Sequence, residues 1–295
     1  MRAVLIDPFT APFMGRALAE LLLLAALAGV VSTFVLVRRL GFVADTMTHT
    51  VFPGVVVGYL AGGVGGVFPG ALVAAALTAG LLTLLTRSRR VTDDTALAVL
   101  LAAMFAVGVM LVSRRSSYSA DLTAFLFGRL LAVTPTQLAQ TAVLAAVVLT
   151  TLGLLSKELR LRAFDPQTAA AMGYRVGLLD LILNMSVALV VVAAAQSVGT
   201  ILVIALLVVP AATGRLLSDR LAVITGVGVL AAAAAGYLGL AVSYRASVTH
   251  GLRLASGATV VLALIALYVL ALLVPVARRQ VRRVTHHPEA PDAVA

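Results

Sequence analysis

Asp45 and His49 stand four residues apart in the segment Gly41-Phe-Val-Ala-Asp45-Thr-Met-Thr-His49-Thr-Val-Phe-Pro53-Gly54. In a helix, positions i and i+4 lie one above the other, so a carboxylate and an imidazole share one face with Thr48 beside them. That donor pair suits a borderline divalent cation such as Mn²⁺, Zn²⁺ or Fe²⁺. Pro53 removes a backbone donor and Gly54 loosens the helix just beyond. Carbonyls freed at such a break can line an ion path. The same spacing also suits an Asp–His hydrogen bond that satisfies two polar groups between helices. Two ligands are too few for a closed metal site, and two symmetry-related copies facing each other would supply four.

The elements that must position this pair are membrane elements. Of 295 residues, 61% are hydrophobic and only 12% are charged, and mean hydropathy is +1.09. A soluble domain is about 25% charged. The composition excludes a soluble enzyme, a disordered chain and a nucleic-acid-binding domain. Cys is absent, so disulfides, Fe–S clusters and thiolate zinc sites are excluded, and any metal ligand is oxygen or nitrogen. A bilayer core needs about 20 apolar residues per helix. Nine stretches meet that need: Ala17–Val37, Phe42–Leu60, Val67–Thr86, Thr95–Val112, Thr136–Leu155, Gly177–Ala195, Thr200–Leu217, Leu221–Val242 and Ala255–Val276. The predicted fold is all-α, a polytopic transmembrane bundle of about eight to nine spans. Asp121–Thr134 is too short and polar-edged to cross, and reads as a re-entrant or interfacial helix. The transmembrane domain covers residues 1–277. A polar tail, 278–295, carries Pro288, Pro291 and His286–His287.

Charge placement follows. With the Arg38–Arg39 pair inside and alternating spans, fifteen of the 22 basic residues fall inside and seven outside. The positive-inside rule then predicts an external N-terminus and a cytoplasmic C-terminus, with Arg114–Arg115 as the main dissent. The net charge of +10 thus encodes orientation rather than nucleic-acid binding. The first span carries its positive charge after the apolar run, so it reads as a retained helix and not a signal peptide. Intramembrane ionisable groups are functional candidates by default. Of twelve acids, most sit in loops or near ends, and Glu20 and Asp180 read as carboxylates near a helix start. Only Asp45 is expected to lie deep.

The longest basic loop, Ser156–Val176, contains its own short helix. Asp165 is a good N-cap, Pro166 suits the first helical position, and Gly173 suits the stop. Two turns are marginal alone in water, and the small apolar Ala169–Met172 surface suits a partner's groove. The chain has no G-x-x-x-x-G-K-[ST], no H-E-x-x-H and no G-x-S-x-G, and its only lysine is Lys157. It therefore carries no P-loop and no protease signature of its own.

These residues together resemble the membrane permease of the zinc/manganese/iron ABC importer family. Gly41–Gly54 is similar to the family's Asp-x-x-Ser-His-x-x-x-Pro-Gly segment, with Thr48 in place of the usual Ser. Tyr118–Val133, with Asp121, Phe127 and Gly128, is similar to its Asp-Leu…Leu-Phe-Gly…Ala-Val run. Phe164–Gly173 is followed by Gln196-Ser-Val-Gly199 and Pro210-Ala-Ala-Thr213-Gly-Arg215, and Ser256-Gly-Ala-Thr259 opens the last span. The resemblance covers roughly Gly15 to Val276. It implies metal contact at Asp45 and His49, with His250 a weaker candidate in the last external loop. It implies no resident cofactor, with the divalent metal as cargo and ATP used by a partner. The implied partners are two cytoplasmic ATPase subunits docking on Phe164, Asp165, Pro166 and Gly173, an external metal-binding protein, a second permease copy (homodimer or paralogue heterodimer) and membrane lipid. No acid lies between Asp219 and Glu289, so a late carboxylate ligand is not available.

The implied mechanism is alternating access, with ATPase closure moving the docked helix and opening or shutting the path at Asp45 and His49. Three rivals compete. A proton-coupled secondary metal transporter needs several buried titratable groups, and one Asp–His pair is thin. A permease for a metal chelate such as a siderophore needs a wider, less charged cavity. A membrane enzyme lacks a second ligand motif.

Overall fold

The computed structural model describes residues 12–87, 91–113, 128–250 and 254–285, without the side chains of Val112, Gln196, His250 and residues 274–285. Arg114–Arg115, Tyr118–Phe127 and His286–His287 lie outside the described residues. All described regular elements are helical. They are α1 (Pro12–Val37), α2 (Gly41–Thr50), α3 (Phe52–Gly62), α4 (Val64–Thr86), α5 (Asp93–Ser113), α6 (Pro135–Leu154), α7 (Ser156–Phe164), α8 (Pro166–Ala171), α9 (Val176–Val198), α10 (Thr200–Leu217), α11 (Leu221–His250) and α12 (Ser256–Thr285).

Eight of these are long and apolar enough to cross a membrane. The ninth expected span, Phe42–Leu60, is a broken one. α2, Val51 and α3 together run over residues 41–62, about 33 Å of helix at 1.5 Å per residue, in two pieces. The central helices are α1, α9 and α10, whose residues are the most buried. α1 packs against α11, α10, α6 and α9, while α2 packs against α5, α9 and α10. The short helix that carries Asp45 and His49 is therefore set against the rigid middle of the bundle.

Three local devices fix its placement. α1 ends in a Schellman motif: Leu40 N–H donates to Val35 O at 2.8 Å and Arg39 N–H to Leu36 O at 3.1 Å. Arg39 takes the left-handed position at φ +56°, so α2 starts only three residues after α1 ends. Pro53, in the first turn of α3, has no N–H for the His49 carbonyl four residues back, and the helix breaks at Val51. Beyond the break, Gly54 and Gly58 on α3 cross Gly66 and Gly70 on α4 backbone to backbone. A Cβ on Gly58 would strike Gly66 O, and one on Gly54 would strike Gly70 O. These are two interlocked G-x-x-x-G ridges, the close crossing that small residues allow in membranes. Gly54 thus serves helix packing as well as lying next to the break.

The expected helix over 121–134 is, in its described part, a single 3₁₀ turn at Leu130–Ala132. Thr134 is not its end but the N-cap of α6, in a capping box with Gln137 and with Pro135 at the first position. Leu130 and Val133 are buried, and Arg129 N–H donates to Ser197 O at 3.0 Å, which ties this segment to the end of α9. At the other end of the chain α12 runs on to Thr285, because Arg278–Arg283 are good helix formers and Pro288 comes later. The tail from 278 is helical for its first eight residues.

Candidate metal path and docking helix

α2 places Phe42, Asp45 and His49 on one stripe, at spacings of three and four. The other faces are closed: Val43, Ala44, Thr46, Met47, Thr48 and Thr50 are buried. On the open stripe the Asp45 and His49 side chains are 37% and 34% exposed, with Asp45 Oδ1 3.7 Å from His49 Nε2. This is a pair in contact range but not a tight hydrogen bond. The imidazole is steadied instead by Phe105 of α5, edge to face at 5.9 Å, and Phe105 in turn lies against Phe52 at 6.3 Å. Thr48 turns inward, and its hydroxyl donates to Asp45 O at 2.6 Å rather than standing beside the pair. Among the described residues no third His, Asp or Glu joins them. One chain thus offers one carboxylate and one imidazole, on a face that it does not cover itself. His250 closes α11, and its side chain lies outside the described residues.

The short loop helix is α8. Asp165 caps it, accepting from Gln167 N–H at 3.1 Å, from Thr168 N–H at 2.9 Å and from the Thr168 hydroxyl. These three donors, the Thr168 hydroxyl foremost, hold the Asp165 carboxyl below its ordinary 3.8. The far end is a second Schellman motif, with Gly173 at φ +85°, Gly173 N–H on Ala170 O and Tyr174 N–H on Ala169 O. Most of the expected Ala169–Met172 surface faces outward, with Ala170, Ala171 and Met172 exposed. Ala169 is fully buried against its own protein, while Phe164, Met172 and Tyr174 are exposed. Three large apolar side chains thus stand exposed around a capped two-turn helix.

Two carboxylates are more than helix-start decoration. Glu20 is the ninth residue of α1 and is fully buried, so Asp45 is not the deepest acid. Its Oε1 accepts from the Thr141 hydroxyl at 2.9 Å and the Ser197 hydroxyl at 2.8 Å, which joins α1, α6 and α9, while Oε2 has no partner among the described residues. The signal was available as lone hydroxyls inside two other apolar spans, but nothing in the sequence pairs them with Glu20. Asp180, one turn into α9, bridges Arg38 at 2.7 Å and Arg162 at 2.9 Å.

This polytopic helical bundle is the architecture of an ABC importer permease. The chain belongs to the ABC 3 transport family, whose model matches residues 10–275. It is 35% identical over 263 residues to the manganese transport system membrane protein MntC of Halalkalibacterium halodurans, covering 88% of this chain and 86% of that one. It is 29% identical over 271 residues to a probable iron transport system membrane protein of Haemophilus influenzae, covering 91% and 96%. Among solved structures, PsaBC from Streptococcus pneumoniae in complex with Fab superposes with a TM-score of 0.78 at 31% identity, covering 92% of this chain and 95% of that one.

Proposed function

We propose that the chain is the permease subunit of an ATP-driven importer of divalent transition-metal ions, Mn²⁺, Fe²⁺ or Zn²⁺. One observation carries this reading: Asp45 and His49 lie side by side and half open on a helix whose other faces are buried. An oxygen and a nitrogen donor without thiolate fit these cations, and the names of the manganese and iron relatives support the same class. A second permease copy covers the open stripe and completes the coordination. An external metal-binding protein delivers the ion. Cytoplasmic ATPase subunits hold the knob of Phe164, Met172 and Tyr174 around α8 and hydrolyse the ATP, so this chain is not itself an enzyme. The N-terminus is external and the C-terminus cytoplasmic, in a cell membrane. Movement of α8 tilts the bundle and exposes the Asp45–His49 face to one side or the other.

The test is metal uptake in a strain lacking its own importers, carrying this protein with its ATPase and binding protein. Uptake of labelled Mn²⁺, competed in turn by Fe²⁺ and Zn²⁺, ranks the cargo. Normal uptake by both Asp45→Ala and His49→Ala would remove the core of the reading.

A further inference from the structure

Asp180 sits between the two segments that the proposed function requires to move together. Its Oδ1 is 2.7 Å from Arg38 Nη1 and its Oδ2 is 2.9 Å from Arg162 Nη2, with all three side chains at most 18% exposed. Arg38 lies three residues before Gly41, the first residue of the metal-ligand helix α2. Arg162 lies three residues before Asp165, the cap of the docking helix α8. Neither connection is slack. Asp165 is at once the last cap of α7 and the first cap of α8, with its N–H on Leu161 O at 2.8 Å. A shift of α8 therefore carries α7 and Arg162 with it. On the other side, the Schellman motif at Arg39 leaves no free residue between Arg38 and α2.

Arg162 also has a second acceptor in its own helix. Glu158 is four residues back on α7, the spacing and order that favour a Glu–Arg pair. Yet Glu158 Oε2 and Arg162 Nε are both buried without a hydrogen-bond partner. Buried polar groups are costly when left unmatched, so this arrangement has a nearby alternative in which they satisfy each other. A polar cleft of about 60 Å³, lined by Asp93 and Asn184 among others, lies beside Arg38, Arg162 and Asp180, on a side that Glu158 does not line.

We propose that Asp180 is a positioning residue that couples the ATPase-docking helix to the metal-ligand helix, through a guanidinium with two alternative acceptors. In the state described, Arg162 is bound to Asp180, and the docking helix, α9 and the α1–α2 corner form one body. When α8 is displaced, Arg162 passes to Glu158, and Asp180 keeps only Arg38. The α1–α2 corner then moves independently of α7. This inference rests on the proposed docking role of α8. It is a physical account of coupling because it names two discrete arrangements of one contact network.

The experiment uses the complete transporter in proteoliposomes, measuring Mn²⁺ uptake and ATP hydrolysis together. Asp180→Asn is expected to keep its ATPase rate but lose most of the ions moved per ATP. Equilibrium Mn²⁺ affinity should stay unchanged, because Asp180 does not touch the ion. Asp180→Glu should restore most of the coupling, and Glu158→Gln should lower it. If Asp180→Asn does not assemble, Arg162→Gln carries the same expectation, since Arg38 and Asp180 remain paired in it. Wild-type ions per ATP in both Asp180→Asn and Arg162→Gln overturn the relay. A scramble of residues 164–173 separates this failure from that of the docking role. Retained transport after the scramble overturns both, whereas lost transport beside a fully coupled Asp180→Asn overturns the relay alone.

Discussion

At the scale of single residues, two carboxylates of the same membrane bundle have opposite duties. Asp45 faces outward from the chain and is half open, as a ligand must be, so Asp45→Ala and His49→Ala should leave the fold unchanged. Each should cut Mn²⁺ uptake by at least about tenfold, because a coordination sphere with one fewer protein donor loses more than 1.4 kcal/mol of binding. Thermal stability in detergent should stay level while uptake falls. Glu20 is the reverse case, fully buried with two hydroxyls donating to one oxygen. Glu20→Gln keeps an acceptor for Thr141 and Ser197 and should be close to neutral. Glu20→Ala leaves the two hydroxyls only the longer bonds to Ala193 O at 3.5 Å and Ala194 O at 3.3 Å, and should cost about 1–3 kcal/mol. Comparing the melting temperatures of the two variants checks this, and equal melting would show that the hydroxyls find other partners.

At the scale of elements, what was legible in the sequence was what depends on near neighbours. Asp165, Pro166 and Gly173 announce α8 because a cap, a fixed φ and a left-handed stop act within a few residues. The spans were legible because the bilayer demands an uninterrupted apolar run. The burial of Glu20 was not, since its partners lie 121 and 177 residues away. Nor was the inward turn of Ala169, because which side chain of α8 is covered depends on what the rest of the chain supplies beneath it. The crossing of α3 on α4 belongs to the same class. A Cβ at Gly58 meets a backbone oxygen, which cannot move aside as a side chain can, so Gly58→Val should splay α3 from α4 and abolish assembly in the membrane. Gly62→Val, where a Cβ meets nothing, is the matched control and should assemble normally. The cap of α8 makes a prediction about pH. A carboxyl held below its unfolded value contributes stability that is complete above that value and is lost as pH falls through the folded one. For Asp165 the window therefore lies at and below the ordinary 3.8, and the cap is intact throughout the neutral range. A carboxyl-carbon NMR titration should give a midpoint below that of free aspartate, and Thr168→Val should move it back up.

At the scale of the whole molecule, the decisive fact is that among the described residues one carboxylate and one imidazole lie together on α2 and their face is left open. A two-fold arrangement presents the same patch of both copies to each other, so residue i of one meets the equivalent region of the next. In the proposed dimer four donors would then surround one ion, and neither half would be a site by itself. This gives a sharp expectation for a tandem fusion of two copies in which only one carries His49→Ala. If each chain bound and passed its own ion, such a fusion would keep half its activity. If the site is shared, one substitution spoils the single sphere, and uptake should fall nearly as far as in the fusion with both halves altered. Equilibrium binding to the occluded transporter gives the same contrast independently of rate: one Mn²⁺ per pair of permeases for a shared site, two for separate ones. Half-activity together with two ions per pair would place the second copy elsewhere on the bundle and leave the open face of α2 to another partner.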